Sequence, residues 1–319
     1  MRSFLLLLAL PLLATFAPKS LTNYADIPGD PLLWVERVPL REEAQGNRRL
    51  GALTFIEGWS LRSNHPYFGG ISAIHVAGRR VFALSDGGIT SHFDLPTRPG
   101  RIAIRMRDLP EMTGQRKKAR DSEAMAVHGD RFWVAFEREN AVIRYARGGW
   151  RREAAAYPAE MRKWPLNSGS EAMVRLRDGR FLILSEGKRL PDGATEALLF
   201  AGDPAEKGTK VVRLGYRAPE GFRITDAAEL SDGRLLFLNR RISILDGIQV
   251  KLTVAEKPEL GERAVLSGRE LAHFEPPVTT DNYEALSIGE EDGRTIVWIA
   301  SDDNFMGFQR TLLMKFALE

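Results

Sequence analysis

Asp121-Ser122-Glu123-Ala124-Met125 followed by Arg131-Phe132-Trp133-Val134-Ala135-Phe136-Glu137 returns 48 residues later as Gly169-Ser170-Glu171-Ala172-Met173 followed by Arg180-Phe181-Leu182-Ile183-Leu184-Ser185-Glu186. Three weaker copies surround this pair: Ile71-Ser72-Ala73-Ile74 with Val81 to Asp86, Thr225-Asp226-Ala227-Ala228 with Leu235 to Arg240, and Tyr283-Glu284-Ala285-Leu286 with Val297 to Asp302. The lead positions 72, 123, 171, 225 and 284 are 51, 48, 54 and 59 residues apart. Turns of hairpin chemistry join the two halves of most copies: His128-Gly129-Asp130, Arg177-Asp178-Gly179, Ser231-Asp232-Gly233 and Glu291-Asp292-Gly293. A period near 50 made of strand-like pieces predicts an all-β chain folded as a β-propeller. The repeats count five blades, and the long step from 225 to 284 leaves room for a sixth.

Two further strands complete a unit, near Val142 to Tyr145 and Trp150 to Ala155 in the second, and near Ile248 to Val254 and Glu270 to Phe274 in the fourth. The last unit runs short, with one strand, Thr311 to Ala317, after Asp302. Leu50 to Leu61 reads as a strand without a unit of its own. It is expected to complete the last blade and close the ring, which removes an exposed sheet edge. The propeller domain is then 50–319, with 18–49 as a leader segment.

Residues 1–17 read as an export signal. Met1-Arg2-Ser3 is basic, Phe4 to Leu13 is apolar, and Ala14-Thr15-Phe16-Ala17 supplies small residues for cleavage. Pro18 is awkward directly after a cut, so the cleavage position stays open. The apolar run is too short for a comfortable membrane span; the competing reading is a buried first helix. A periplasmic or secreted location follows, with no transmembrane span in the mature chain.

The 319 residues carry 45 basic and 42 acidic side chains, a formal charge of +3, and the arginines are scattered. This balance argues against nucleic acid as a partner. With no cysteine in the chain, disulfides, thiolate metal sites, a cysteine nucleophile and a lipoprotein anchor are excluded. A monomer is expected, its core being large enough to fold without crosslinks.

In a propeller the first strand of each unit lines the central channel, and its hairpin partner returns to the same rim. Neighbouring strands lie about 4.8 Å apart. Two columns of carboxylates should therefore meet at one mouth: Glu123, Glu171, Asp226 and Glu284 in one, and Asp86, Glu137, Glu186 and Asp302 in the other. So many like charges need protons or cations beside them. Arg240 stands in the second column of the fourth unit, Arg241 follows it, and Arg138 adjoins Glu137. The remaining acids suit a hard cation, calcium first, with Glu123, Glu171, Asp226, Glu284 and Asp302 as its ligands. Asn167, Asn282 and Asn304 stand near the same rim and are expected to bind substrate or add carbonyl ligands. The competing reading leaves each acid solvated or paired with arginine.

Other signals are weak. The five histidines lack zinc spacing. His75 reads as a core residue, His128 as a turn on the far rim, and His65 and His92 as loop residues open to acid–base work. Ser168 and Ser170 lie outside a complete nucleophile elbow. Asp302-Asp303-Asn304-Phe305 lacks the EF-hand spacing.

Phe68-Gly69-Gly70-Ile71-Ser72-Ala73-Ile74, Asp121 to Met125, Asn167-Ser168-Gly169-Ser170-Glu171-Ala172-Met173, Asp226 to Leu238, and Asp281-Asn282-Tyr283-Glu284-Ala285 with Ser301 to Phe305 resemble the phytase-like family of exported bacterial proteins, labelled as having esterase-like activity of phytase. The resemblance spans about Leu50 to the C-terminus. It implies a propeller and an ester or phosphoester substrate. Asn239-Arg240 departs from the Glu-Arg common in such sequences, and no basic cradle suited to phytate is legible.

Two functions fit these residues. In the first, a cation polarises an ester, phosphoester or lactone oxygen, Glu171 or Glu123 takes a proton from water, and Arg240 or Arg241 holds an anionic group of a small molecule or envelope polymer. In the second, a non-catalytic envelope propeller holds a sugar, peptide or protein at the mouth, and the cation is structural.

Overall fold

The alternation of apolar strand and Gly/Asp turn produces five sheets among the described residues, which in this computed structural model are 28–41, 46–111, 121–256 and 260–319. The expected signal peptide and parts of the leader lie outside them. The first sheet consists of Ile71–Ala77, Arg80–Ser85, Ile89–Asp94 and Arg105–Asp108. The second consists of Ser122–His128, Arg131–Phe136, Ala141–Ala146 and Arg151–Ala156. The third has Ser170–Arg175, Phe181–Arg189, Thr195–Phe200 and Val211–Arg217, with Val265–Ser267 added in parallel at its edge. The fourth has Arg223–Glu229, Leu235–Ser243, Gly247–Ala255 and Arg269–Phe274. No α-helix occurs among the described residues, and the architecture is all-β and propeller-like.

The fifth sheet combines both ends of the described chain. Tyr283–Glu291, Arg294–Ser301 and Thr311–Leu318 continue into Leu53–Ser63, which runs antiparallel to the last strand with Thr311 opposite Leu61 and Leu313 opposite Trp59. The segment expected to be a leader contributes too. Leu32–Arg37 pairs with Leu53–Ser63 on one side and with Gly100–Ala103 on the other, so the folded body begins before residue 50. Leu33 and Val35 explain this. Both are buried, and with Trp59 and Leu61 they complete an apolar layer against the first sheet.

Each pair of neighbouring sheets shares an apolar layer. Phe82 and Leu84 meet Phe132 and Val134; Trp133 and Ala135 meet Phe181 and Ile183; Leu182 and Leu184 meet Leu235 and Phe237; Leu236 and Leu238 meet Val297 and Ile299; Trp298 and Leu313 meet Ile74 and Val81. Phe132 to Phe136 form a continuous buried run because that strand has a sheet on both faces. Burying one such side chain stabilises the fold by about 1.5–3 kcal/mol. Each inner strand touches the inner strands of two other sheets, and Tyr283–Glu291 of the fifth touches Ile71–Ala77 of the first.

Candidate functional site

The lead positions are β-bulges. In the first sheet Ile71 pairs with Ser85 and Ala73 with Leu84, leaving Ser72 over. The same offset leaves over Glu123, Glu171, Thr225 and Glu284 in the other four sheets. A bulge adds an unpaired residue and re-aims its side chain, so five equivalent positions present side chains at one rim. The residues after the offset on the returning strand are Asp86, Glu137, Glu186, Arg240 and Asp302. The N–H groups of Asp86, Glu137, Glu186 and Asp302 donate to the carbonyls of Gly70, Asp121, Gly169 and Asn282 at 2.8, 2.9, 3.0 and 2.9 Å. Both columns thus end at one mouth.

Register corrects the place of one expected ligand. The bulge residue of the fourth sheet is Thr225; Asp226 stands opposite Leu238, where the other sheets carry Ala73, Ala124, Ala172 and Ala285. Asp226 Oδ2 accepts from the Leu286 N–H at 2.7 Å and Oδ1 from the Ala227 N–H at 2.8 Å. It ties the fourth inner strand to the fifth and is not part of the carboxylate column. Asn239 is likewise internal: fully buried, it accepts from the Tyr216 hydroxyl at 2.6 Å and donates to Thr253 Oγ1 at 3.3 Å. The departure from Glu at this position therefore removes no carboxylate from the second column.

The second half of the ring is neutralised by arginine. Arg240 Nη1 donates to Glu284 Oε1 and to Asn282 Oδ1, and Asn282 Nδ2 donates to the same Glu284 oxygen at 3.1 Å. Arg223 lies 3.4 Å from Glu186. Arg241 is bonded to Gln249 at 2.8 Å and lies 3.3 Å from Asp246, with its guanidinium 5.3 Å from the Phe222 ring centre. Asn304 is exposed, gives its backbone N–H to Asp302 Oδ1 at 2.6 Å and its side-chain amide to Gln309, so its carbonyl is not aimed at the acids. Asn167 is exposed on the approach to Gly169.

Around Glu123 and Glu171 the acids remain crowded. Burial first, then the charges of Asp86, Glu137, Asp121 and Asp302, holds the Glu123 carboxyl well above the usual carboxylate range. Glu171 is raised in the same way, by burial and then by Glu123, Glu186 and Glu137, against a smaller opposing effect of Arg240. Burial lifts Glu137 to about 7 despite the Gly169 N–H on its Oε1 and a hydrogen bond with Glu171. Asp302 also reaches about 7, through burial and Asp86. Burial and acidic neighbours thus favour the protonated form of Glu171, which suits proton donation as well as the expected role of base.

Asp121, Glu123 and Glu137 offer one oxygen each within 4.8 Å of one another. Two oxygens on one calcium ion are at most about 5 Å apart, so the trio fits a hard cation. Sequence reading left Asp121 and Glu137 out of the expected ligand set. Asp121 lies two residues before the bulge residue, where its carbonyl accepts from the Glu137 N–H at 2.9 Å and sets it beside the returning strand. Arg138 Nε braces Asp121 at 2.6 Å.

A family model described as "Phytase-like: Esterase-like activity of phytase" matches residues 66–305. The chain belongs to the phytase-like family. No curated protein matches it. Among solved structures, Myxococcus xanthus glutaminyl cyclase is 9% identical with a TM-score of 0.47, over 84% of this chain and 97% of that one. The β-propeller domain of Myceliophteria thermophila Cps50 (Swd1) is 10% identical with a TM-score of 0.40, over 88% and 98%. A luciferin-regenerating enzyme is 9% identical with a TM-score of 0.42, over 78% and 92%. Likenesses this distant bear on neither substrate nor mechanism.

The matched segment of this phytase-like chain contains every member of both columns. Its glycines at the mouth answer to close approach. A Cβ on Gly70 would lie 2.6 Å from Asp86 Oδ1 and 2.6 Å from the Phe305 ring, at a φ of +60°. His92, expected in a loop, lies on the strand Ile89–Asp94 and faces a cleft at the opposite rim. Two clefts, one around Trp133 and Asp203 and one around His92 and Arg107, are lined by none of the mouth carboxylates.

Proposed function

We propose that this phytase-like protein is an exported, cation-assisted hydrolase of an ester or phosphoester, acting at the acidic mouth of a five-bladed propeller that Leu53–Ser63 closes. The convergence of Asp121, Glu123 and Glu137 carries this reading. These three carboxylates would hold a hard divalent cation, calcium by oxygen preference. Bound there, such an ion supplies Lewis-acid polarisation of an ester or phosphoryl oxygen. Glu171, hydrogen-bonded to Glu137 beside the trio, would pass a proton to the departing oxygen as water attacks the ester carbon or phosphorus and the bond to that oxygen breaks. Arg240, fixed by Glu284 and Asn282, presents its remaining donors to an anionic group of the substrate.

Exposed apolar side chains stand on segments that lead to or from the mouth. Ile242, Ile244 and Leu245 are 66, 104 and 94% exposed on the hairpin beyond Arg240, and Leu166 and Phe308 lie on loops entering and leaving it. They support a substrate with an apolar portion. The order of basic, apolar and small residues in 1–17 supports export to the periplasm or the medium. The five shared apolar layers, the last linking the fifth sheet to the first, support the closed ring.

The test is turnover of aryl esters, lactones and phosphate esters with calcium and with chelator, by the wild type and by Glu123→Gln. Calcium-dependent turnover reduced about a hundredfold or more in the variant is expected. A wild type inert towards all three classes gives way to a non-catalytic binding propeller.

A further inference from the structure

The rim opposite the acids carries a constellation of the other sign. In the first sheet His75 stands opposite Phe82, Phe82 opposite His92 and His92 opposite Arg105, so one row crosses four strands on a single face. Arg107 lies two residues along the edge strand, on that same face. The second sheet brings Arg147 and Trp150 against the row. His92 stacks on Phe82 with ring centres 4.5 Å apart, and Trp150 meets His92 at 5.9 Å. The Arg147 guanidinium lies 5.5 Å from the Phe82 ring centre, and that of Arg107 lies 5.8 Å from Trp150. These residues and Arg80 line a cleft of about 1240 Å³.

Among the described residues none of Arg80, Arg105, Arg107 and Arg147 makes a salt bridge, although this chain pairs most of its other mouth and blade arginines. Asp30, Asp94 and Asp130 also line the cleft; Asp94 stands opposite Arg80, and Asp130 accepts from the Gly148 N–H at 2.8 Å. Burial, then Arg147, Arg107 and Arg105, lowers His92 to about 4, so the stacked imidazole is neutral and the arginines supply the charge. Guanidinium groups gathered this closely repel one another, and their planar forks match the oxygens of phosphate. The aromatic faces hold two of them in position while leaving their N–H donors free.

We propose that this cleft is a binding site for a phosphate-bearing polyanion, separate from the catalytic mouth. With Arg80 opposite Asp94, the ligand-facing charge comes from Arg105, Arg107 and Arg147, which call for more than one negative charge, and the volume accommodates more than one phosphate group. A soluble oligophosphate and a cluster of phospholipid headgroups share that chemistry.

Calorimetric titration of tripolyphosphate into the full chain, at low salt and in chelator, tests the site without any cation at the mouth. Sedimentation with phosphatidylglycerol vesicles, against phosphatidylcholine vesicles, tests the lipid source. Arg105 and Arg107 are exposed, so the double variant Arg105→Ala/Arg107→Ala should melt like the wild type and keep its calcium response. Its binding should weaken at least about tenfold. Binding of vesicles alone, lost in the double variant, supports the site and names the lipid as its source. Absence of binding in both arms, or binding that survives the double substitution, overturns the proposal whatever the outcome at the mouth.

Discussion

Arg240 of the fourth sheet bonds Glu284 of the fifth, and through the same nitrogen reaches Asn282. Their side chains are only 18 and 17% exposed, so this is a largely buried pair. It sets one half of the carboxylate mouth, where Arg240 and Arg223 meet Glu284 and Glu186, apart from the half around Glu123, where Asp86, Glu137, Asp121 and Asp302 crowd one carboxyl.

Removing one partner leaves the other charge buried. Arg240→Gln should cost on the order of 3 kcal/mol in urea unfolding, and Arg240→Gln/Glu284→Gln should recover most of it. If the double variant is no more stable than the single one, the pair does not carry this energy.

The raised carboxyls give stability a defined pH dependence. Glu137 and Asp302 titrate near 7 in the fold, and Glu123 and Glu171 lie well above the usual range. The folded chain therefore binds more protons than the unfolded one from about pH 4 up to these values. Stability is greatest at the acid end of that window and falls as pH rises through 7. In chelator the melting temperature should drop between pH 5 and pH 8. Calcium competes with those protons, so its stabilisation should be larger at pH 8, where a hundredfold excess over Kd gives about 2.7 kcal/mol. Equal calcium shifts at both pH values would contradict a carboxylate site of this kind.

Asp226 should behave as a structural residue. Asp226→Asn replaces one accepting oxygen with a donor facing a backbone N–H, at a cost of about 1–3 kcal/mol. Its calcium-induced melting shift should match that of the wild type, whereas Glu123→Gln should abolish the shift. An Asp226→Asn variant that folds normally but ignores calcium would return Asp226 to the ligand set.

Leu53–Ser63 covers the edge of Thr311–Leu318 and places Trp59 and Leu61 in the layer against the first sheet. Deleting residues 53–63 should expose both that edge and that layer, giving loss of cooperative melting or aggregation. A truncated chain that stays monomeric with an unchanged melting temperature would show that the strand is dispensable.

The repeat was legible because a strand pair betrays itself locally. Alternation at Ser122-Glu123-Ala124, an apolar run from Phe132 to Phe136 and a Gly-Asp turn between them together specify a hairpin. Five such hairpins at one period predicted the sheets, and the spare strand near Leu53 predicted its own partner. The first strand, Leu32–Arg37, stayed hidden because six residues between prolines and charges carry no repeat, and only Trp59 and Leu61 across the sheet make its burial worthwhile.

By itself the sequence determined that acids recur at the same two places of each repeat, since spacing along a strand dictates which rim a residue reaches. Tertiary structure decided which of those acids share a space. A one-residue bulge reverses the direction of a side chain, and it placed Thr225 rather than Asp226 in the column. Pairing between sheets committed Arg240 to Glu284, and burial raised the Glu171 carboxyl well above its usual range. Convergence from separate sheets also set the arginines of the opposite rim around Phe82 and Trp150. Charge, burial and direction depend on neighbours that are distant along the chain, and these arise only when the sheets assemble.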